Sequence, residues 1–97
     1  MDSADTTKIK ERIIDILDKL FSDVGIDKNM LEFVDLIDDL GMDSIFFVSL
    51  MIELETEFGI RIPDEWMMLN KFQNFYLISN VVETLLNEKA MRVSYDK

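Results

Sequence analysis

The chain of 97 residues contains neither cysteine nor histidine. Without them it can form no disulfide, no thiolate nucleophile and no imidazole base, and the usual zinc-ligand sets are excluded. A catalytic pair of serine and histidine, or of cysteine and histidine, is therefore impossible. If the protein takes part in chemistry, we expect a group from elsewhere to supply the reactive atom.

Turn-forming residues are also scarce, since one proline and three glycines serve the whole chain. A sandwich or barrel of this size would need more of them to make its turns. With 48% hydrophobic residues, the length suits one small domain over residues 1–97, with a core built from helices and mostly local contacts. The composition thus favours an all-α fold.

Long apolar runs are missing as well. The longest lies between Ile45 and Ile52, is interrupted by Ser49, and is far too short to span a bilayer. The amino-terminal residues lack the basic and then apolar order of a signal peptide. These features predict no membrane association and a cytoplasmic location.

Basic residues are also few. Ten basic residues face 20 acidic ones, which gives a formal net charge of −10 and an isoelectric point near 4.2. Such a surface repels phosphate backbones, so nucleic acid is not the expected partner. Basic patches on other proteins are the better complement, although acidity that only keeps the domain dissolved would look the same.

Apolar residues at helical spacing predict three long helices, and the start signal of Pro63, Asp64 and Glu65 predicts a fourth, short one. The long helices cover about residues 7–21, 44–58 and 75–89, and the short one is expected near residues 66–69. A long first loop, with a helical turn near residues 30–34, is expected to lie across the core. Residues 1–5 and 92–97 are expected to be flexible.

The second predicted helix has clear signals at both ends. Asp43 is placed to accept a backbone N–H of the first turn, and Gly59 to end the helix in the left-handed conformation. In the same way, Asn74 is placed to cap the last helix. The apolar stripe predicted for the second helix comprises Ile45, Val48, Met51, Leu54 (or Ile52) and Phe58.

A serine, Ser44, stands at the start of this helix, at the end of the segment DLGMDS. Free N–H groups and the positive end of the helix dipole would stabilise a phosphate on its oxygen there. The hydroxyl would also stand at a corner that another enzyme can reach. The pair Asp43-Ser44 alone is more often only a helix cap, so the interpretation depends on the longer context.

That context resembles the acyl carrier and peptidyl carrier family. The family's signature around its modified serine, Asp-Leu-Gly-x-Asp-Ser-Leu/Ile, is matched at residues 39–45. A second stretch, Leu-Glu-x-Glu-Phe-Gly-Ile-x-Ile-Pro-Asp-Glu, is matched at residues 54–65. The resemblance extends to the order of the helices and covers nearly the whole chain. It implies a four-helix acyl-carrier-like bundle, a free-standing carrier that is not itself an enzyme.

By this resemblance, Ser44 is the attachment point of a covalent 4′-phosphopantetheine arm, which a phosphopantetheinyl transferase adds from coenzyme A. The thiol of the arm then holds an acyl or aminoacyl group as a thioester. Gly41, Met42 and Asp43 frame the attachment site, and Asp43 matches an acidic residue that assists metal placement during transfer. The carrier itself holds no metal. The further partners implied are a loading ligase and downstream synthase or transferase enzymes. The carrier itself is expected to be a monomer.

The sequence departs from the pattern of type II fatty-acid carriers, which usually have carboxylates two and five residues after the serine. This chain has Phe46 and Ser49 there. An exposed Phe46 would be a natural anchor for a partner, unless the surrounding loop covers it. The departure favours a specialised pathway, such as polyketide, nonribosomal peptide or aminoacyl assembly, over fatty-acid synthesis. The residues predicted to contact partners are Asp39, Ile45, Phe46, Glu53 and Glu57.

Two further alternatives stay open. A helical adaptor that binds partners without any prosthetic group is the rival from another functional class. Three aromatic residues near the last helix could line the exit of the arm or fill the core, and their residue types favour the core. They are Phe72, Phe75 and Tyr76.

Overall fold

Three α-helices make up most of the computed structural model, which describes the backbone of residues 3–95 and the side chains of residues 8–90. The helices are α1 (Ser3–Leu20), α2 (Ser44–Phe58) and α3 (Phe75–Tyr95). Residues 3–95 contain no β-strand, only an isolated bridge between Asp35 and Asn74. The all-α prediction is confirmed. None of the described helices combines the length and the apolar character that crossing a bilayer requires.

Short 3-10 turns lie in the connections between the helices. Ser22–Val24 and Lys28–Met30 lie between α1 and α2, and Asp64–Trp66 and Leu69–Phe72 lie between α2 and α3. The short helix predicted near residues 66–69 is therefore not α-helical. The reason is Met68, whose extended backbone (φ −127°, ψ 135°) separates the two turns and interrupts any continuous helical hydrogen bonding.

The first and last helices, α1 and α3, are longer than their sequence patterns indicate. α1 begins at Ser3 and not near residue 7, and α3 continues to Tyr95 and does not end near residue 89. Since no proline or glycine follows Pro63, nothing in the sequence interrupts the backbone of α3. Residues 1–2 and 96–97 lie outside the described part of the chain, and flexibility of the segments 1–5 and 92–97 stays a prediction.

The apolar faces of α1 and α3 are those that the spacing of their residues predicts. Their buried members are Ile13, Ile16, Leu17 and Phe21 on the α1 side and Phe75, Ile78, Val82 and Leu85 on α3. The connection from α1 to α2 adds Leu31 and Leu36, which are fully buried. Burial of an aliphatic or aromatic side chain of this size contributes roughly 1.5–3 kcal/mol, so these residues hold the connection against the helices.

α2 has the predicted boundaries, and Met51, Leu54 and Phe58 of its predicted apolar stripe are buried, but the first two residues of that stripe are not. Ile45 and Val48, predicted to be buried, are 77% and 55% exposed. The buried face of α2 consists of Phe47, Leu50, Met51, Leu54 and Phe58. Phe47 packs edge-on against Phe72 with ring centroids 5.6 Å apart. Because the first turns of α2 are apolar on nearly every side, the hydrophobic pattern there does not indicate which face is buried.

Candidate functional site

Ser44 is the first residue of α2, and its side chain is exposed. The preceding Asp43 has extended backbone, and its Oδ1 accepts hydrogen bonds from the N–H groups of Ile45 and Phe46, both at 3.1 Å. The predicted N-cap is confirmed. Contrary to expectation, however, these two N–H groups are engaged by Asp43 and are not free for a phosphate. What the helix offers at Ser44 is the positive end of the dipole of its 15 residues.

Gly41 and Met42 shape the turn that leads to Ser44. Gly41 has a φ of +71°, in the left-handed region that residues with a Cβ rarely adopt. Nothing lies within 4 Å of where its Cβ would be, so glycine is favoured here by backbone conformation and not by space. The N–H groups of Gly41 and Met42 donate to the carbonyls of Ile37 and Leu36, at 3.0 and 2.9 Å. Since the Met42 side chain is buried, it anchors the turn in the hydrophobic core.

Two aspartates organise the backbone of the same loop. Asp35 Oδ1 accepts from the N–H groups of Ile37 at 2.9 Å and Asp38 at 2.8 Å. Asp39 Oδ2 accepts from the N–H of Asp35 at 2.8 Å. Asp39, predicted to face partners, is exposed, but its carboxylate holds the loop in shape. A direct contact of Asp39 with a partner stays a prediction.

Gln73 joins this loop to the segment before α3. Its Nε2 donates to Asp35 Oδ2 at 2.7 Å, and its carbonyl accepts from the N–H of Leu36 at 2.8 Å. Hydrogen bonds from the Asp38 N–H, the Gln73 amide and the Ile37 N–H lower the pKa of Asp35, against a partial desolvation that raises it. Sequence reasoning missed Gln73, because its contact with Asp35 spans 38 residues and no local pattern signals it.

Asp35 is expected to make stability depend on pH in the acid range. Because its folded-state pKa is lowered, the ionised carboxylate stabilises the fold above the ordinary value of 3.8, and this contribution is lost as the pH falls through the folded-state pKa. We expect the free energy of unfolding, from urea titrations, to fall more steeply in the wild type than in Asp35→Asn between about pH 4 and pH 2. Asp64→Asn makes the same charge change at an exposed position and is the control. Equal slopes in wild type and Asp35→Asn would contradict the assignment.

Phe46, the predicted partner anchor, is half-buried. Its ring stacks on Phe21, at the end of α1, with centroids 5.1 Å apart and an interplanar angle of 18°. Phe21 therefore covers one face of the Phe46 ring, and the rest of the ring stays accessible to solvent. A role of the remaining surface of Phe46 in partner binding stays a prediction.

The Phe46–Phe21 stack is expected to stabilise the fold measurably. A fully buried Phe→Ala change costs about 3–5 kcal/mol, so half-burial suggests about 1–3 kcal/mol for Phe46→Ala. Urea unfolding followed by circular dichroism measures the loss. Phe46→Leu keeps the apolar bulk and should lose less. An unchanged unfolding midpoint in Phe46→Ala would show that the stack does not contribute to stability.

Glu53 and Glu57, the weaker predicted partner contacts, pair with basic residues of α1. Glu53 lies 3.2 Å from Lys19 Nζ, and Glu57 Oε2 lies 2.7 Å from Arg12 Nε. Arg12 also donates to the carbonyl oxygen of Glu57 at 2.6 Å and lies 4.5 Å from the ring centroid of Phe58. Exposed ion pairs of this kind contribute only about 0–1 kcal/mol each, but they occupy both carboxylates within the chain.

The three aromatic residues left open by the sequence divide between core and surface. Phe72 and Phe75 are buried, so the core interpretation is confirmed for both. Tyr76 is exposed, and its hydroxyl donates to Glu32 Oε2 at 2.8 Å. Lys10 Nζ lies 2.9 Å from the same carboxylate oxygen. Tyr76 therefore belongs to a polar surface cluster and not to the core.

Comparison with known proteins points to the turn around Ser44. A family model described as a phosphopantetheine attachment site matches residues 33–74, which include this turn and all of α2. The chain is 42% identical to the acyl carrier protein of Chlorobium phaeobacteroides over 59 residues, which are 60% of this chain and 72% of that protein. It is 41% identical to the acyl carrier protein of Chlorobium phaeovibrioides over 59 residues, with the same shares of the two chains.

The acyl carrier protein of Rickettsia bellii is 36% identical over 58 residues, which are 60% of each chain. The match to the Chlorobium proteins extends over more than two thirds of their length. It agrees with the all-helical fold and with the family match that contains Ser44. The chain therefore belongs to the acyl carrier protein family, whose members are carriers and not enzymes and hold 4′-phosphopantetheine covalently.

Proposed function

We propose that this protein carries an acyl or aminoacyl group on a 4′-phosphopantetheine attached to the Oγ of Ser44. The observation that best supports Ser44 as the attachment point is its position. It is exposed, it is the first residue of α2, and it directly follows a turn that Met42 anchors in the core. An enzyme can reach this oxygen without any movement of the helices.

The residues around Ser44 fit such a group. The hydroxyl is exposed, and the dipole of α2 favours a negative phosphodiester at this end of the helix. Asp43 directs its carboxylate to the backbone of the first turn and so holds Ser44 at the tip. Gly41 and Met42 hold the turn that precedes it. When bound, the group supplies the thiol that a chain without cysteine lacks.

We infer that the partners are a phosphopantetheinyl transferase, a ligase that loads the carrier, and synthase or transferase enzymes that take the cargo from it. Tethering would raise the effective concentration of the cargo at each of these enzymes. The finer inference is a specialised pathway, supported by Phe46 and Ser49 at positions where fatty-acid carriers have carboxylates. A carrier for fatty-acid synthesis is the alternative, since the relatives are named only as acyl carrier proteins.

Within the four-helix arrangement that the sequence predicts, we propose that the 3-10 turns Asp64–Trp66 and Leu69–Phe72 take the place of the short helix. They connect α2 to α3, as that helix would. A monomeric state and a cytoplasmic location stay predictions.

Incubation with coenzyme A, magnesium and a phosphopantetheinyl transferase of broad specificity tests the proposed function. Intact-mass spectrometry should show the addition of one 4′-phosphopantetheine to the wild-type protein. A protein that stays unmodified under conditions in which a known carrier is modified would favour the adaptor without a prosthetic group.

A further inference from the structure

The loop that leads to Ser44 is bonded to itself along its length. We name residues 35–43 the presenting loop. Asp35 and Asp39 accept from backbone N–H groups of this loop, and two N–H groups near its end donate to carbonyl groups within it. Because these bonds restrict movement inside the loop, the position of Ser44 depends on what holds the loop as a whole.

Gln73 connects the presenting loop to the segment before α3. Its Nε2 donates to Asp35 Oδ2 at 2.7 Å, and its carbonyl oxygen accepts from the N–H of Leu36 at 2.8 Å. The Asp35 carboxylate is ionised at neutral pH, since its hydrogen bonds lower its pKa. The bond from Gln73 is therefore charge-assisted, which is the stronger kind. Both side chains are partly buried, so water competes less for them.

This hydrogen bond gives the presenting loop a direction that its apolar anchors do not. The buried side chains of Leu36 and Met42 keep the loop on the core, but apolar contacts are not directional. A hydrogen bond is directional and selects one orientation. Without it the loop would occupy several orientations, and only a fraction of the molecules would present Ser44 as observed. A partner that binds only this fraction binds more weakly by the same factor.

We propose that Gln73 and Asp35 are positioning residues for phosphopantetheine transfer, and that their hydrogen bond holds the presenting loop in the arrangement that a transferase binds. This inference rests on the proposed function, because it takes Ser44 as the acceptor. In the transfer, Ser44 Oγ bonds to the phosphorus on the pantetheine side of coenzyme A. The P–O bond of the pyrophosphate breaks, the adenosine bisphosphate half leaves with the electron pair, and the serine proton passes to a base of the transferase. Gln73 and Asp35 act only through the position of the acceptor oxygen.

An exchange of donor and acceptor tests the hydrogen bond itself. Gln73→Glu places a second carboxylate opposite that of Asp35, so the two repel each other and the bond is lost. Asp35→Asn in the same chain restores the bond in the reverse direction. The oxygen of the new amide still accepts from the backbone N–H groups, and its nitrogen donates to the carboxylate at position 73. This double variant also keeps the net charge of −10.

Two further variants serve as controls. Gln73→Leu removes the donor without adding charge, and Asp35→Asn cannot rescue it because no acceptor then stands at position 73. Asn80→Asp repeats the change from amide to carboxylate at an exposed position of α3, outside the presenting loop. Transfer from coenzyme A by a transferase of broad specificity is measured at about pH 8, where facing carboxylates stay ionised. kcat and the KM for the carrier are determined separately.

We expect the KM for the carrier to rise about tenfold in Gln73→Glu and about fivefold in Gln73→Leu. kcat should stay within about twofold of the wild type, because the bound carriers present Ser44 alike. Adding Asp35→Asn should return the KM of Gln73→Glu to within about threefold of the wild type, and leave that of Gln73→Leu raised. Asn80→Asp should change neither constant by more than about twofold. Amide hydrogen exchange over residues 35–43 should be fastest in the variants with the highest KM.

An unchanged KM in Gln73→Glu would overturn the inference. So would a double variant as poor as Gln73→Glu, because the loss would then not come from the hydrogen bond. A purely structural role predicts a lower urea midpoint with no change in the KM of the folded protein, which would also contradict the proposal. If the wild type itself gains no mass, the proposed function fails and this inference with it, whereas failure of the positioning role alone leaves the wild type modified.

Discussion

Ser44→Ala is expected to abolish the addition of 4′-phosphopantetheine while leaving the fold intact. The change removes the only atom through which the group would be attached at the tip of α2. The position is exposed, and alanine is a good helix former, so the free energy of unfolding should change by no more than about 0.5 kcal/mol. Asp43 can still cap the helix, since its hydrogen bonds go to Ile45 and Phe46. Intact mass and circular dichroism measure the two expectations.

Ser49→Ala is the matched control for this experiment. Ser49 lies on the same helix, five residues further along, and is half-buried. It should be modified like the wild type. An adduct that persists in Ser44→Ala, or one that disappears in Ser49→Ala, would mean that the attachment point is misplaced.

Phe72→Ala is expected to have the largest effect on stability. The ring is fully buried and packs edge-on against Phe47 of α2. Truncation of a buried phenylalanine costs about 3–5 kcal/mol, a large share of the roughly 5–15 kcal/mol that stabilises a domain. Urea unfolding should therefore begin at a much lower concentration than in the wild type. Tyr76→Phe, which removes only the exposed hydroxyl bonded to Glu32, should leave the urea midpoint close to that of the wild type.

Phe72→Ala should also loosen the loop before Ser44. Phe72 anchors the segment that ends in Gln73, and Gln73 holds the loop through Asp35 and Leu36. Amide hydrogen exchange over residues 35–43 should be faster in Phe72→Ala than the loss of global stability alone explains. A loss below about 1 kcal/mol would show that the ring does not anchor the core, and unchanged exchange in this loop would show that it does not anchor the site.

Sequence reasoning predicted the local features of the site because each depends on neighbours in the chain. Asp43 caps α2 and Asn74 caps α3, the latter by accepting from the N–H of Leu77 at 2.9 Å. Gly59 ends α2 with a φ of +62°. Such caps need only a side chain of the right length, or a residue without a Cβ, at one position. The apolar faces of α1 and α3 were predicted for the same reason, because helical periodicity is a local property.

Features that join distant parts of the chain could not be read in this way. The stack of Phe46 on Phe21, and the hydrogen bond of Gln73 to Asp35, link residues with no shared local pattern. Residues 66–69 have the composition of a short helix, yet Met68 is extended. Local preferences in so short a segment are weak, and packing overrides them.

The sequence therefore specified where α2 begins and ends and which serine stands at its tip. It predicted the buried residues in the later turns of that helix but the wrong side of the first two turns, because apolar residues surround those turns and provide no contrast between faces. Packing of Phe47 against Phe72 settles the orientation. As a result Ile45, Val48 and Ile52 lie at the surface beside Ser44, although their residue types alone would place them inside.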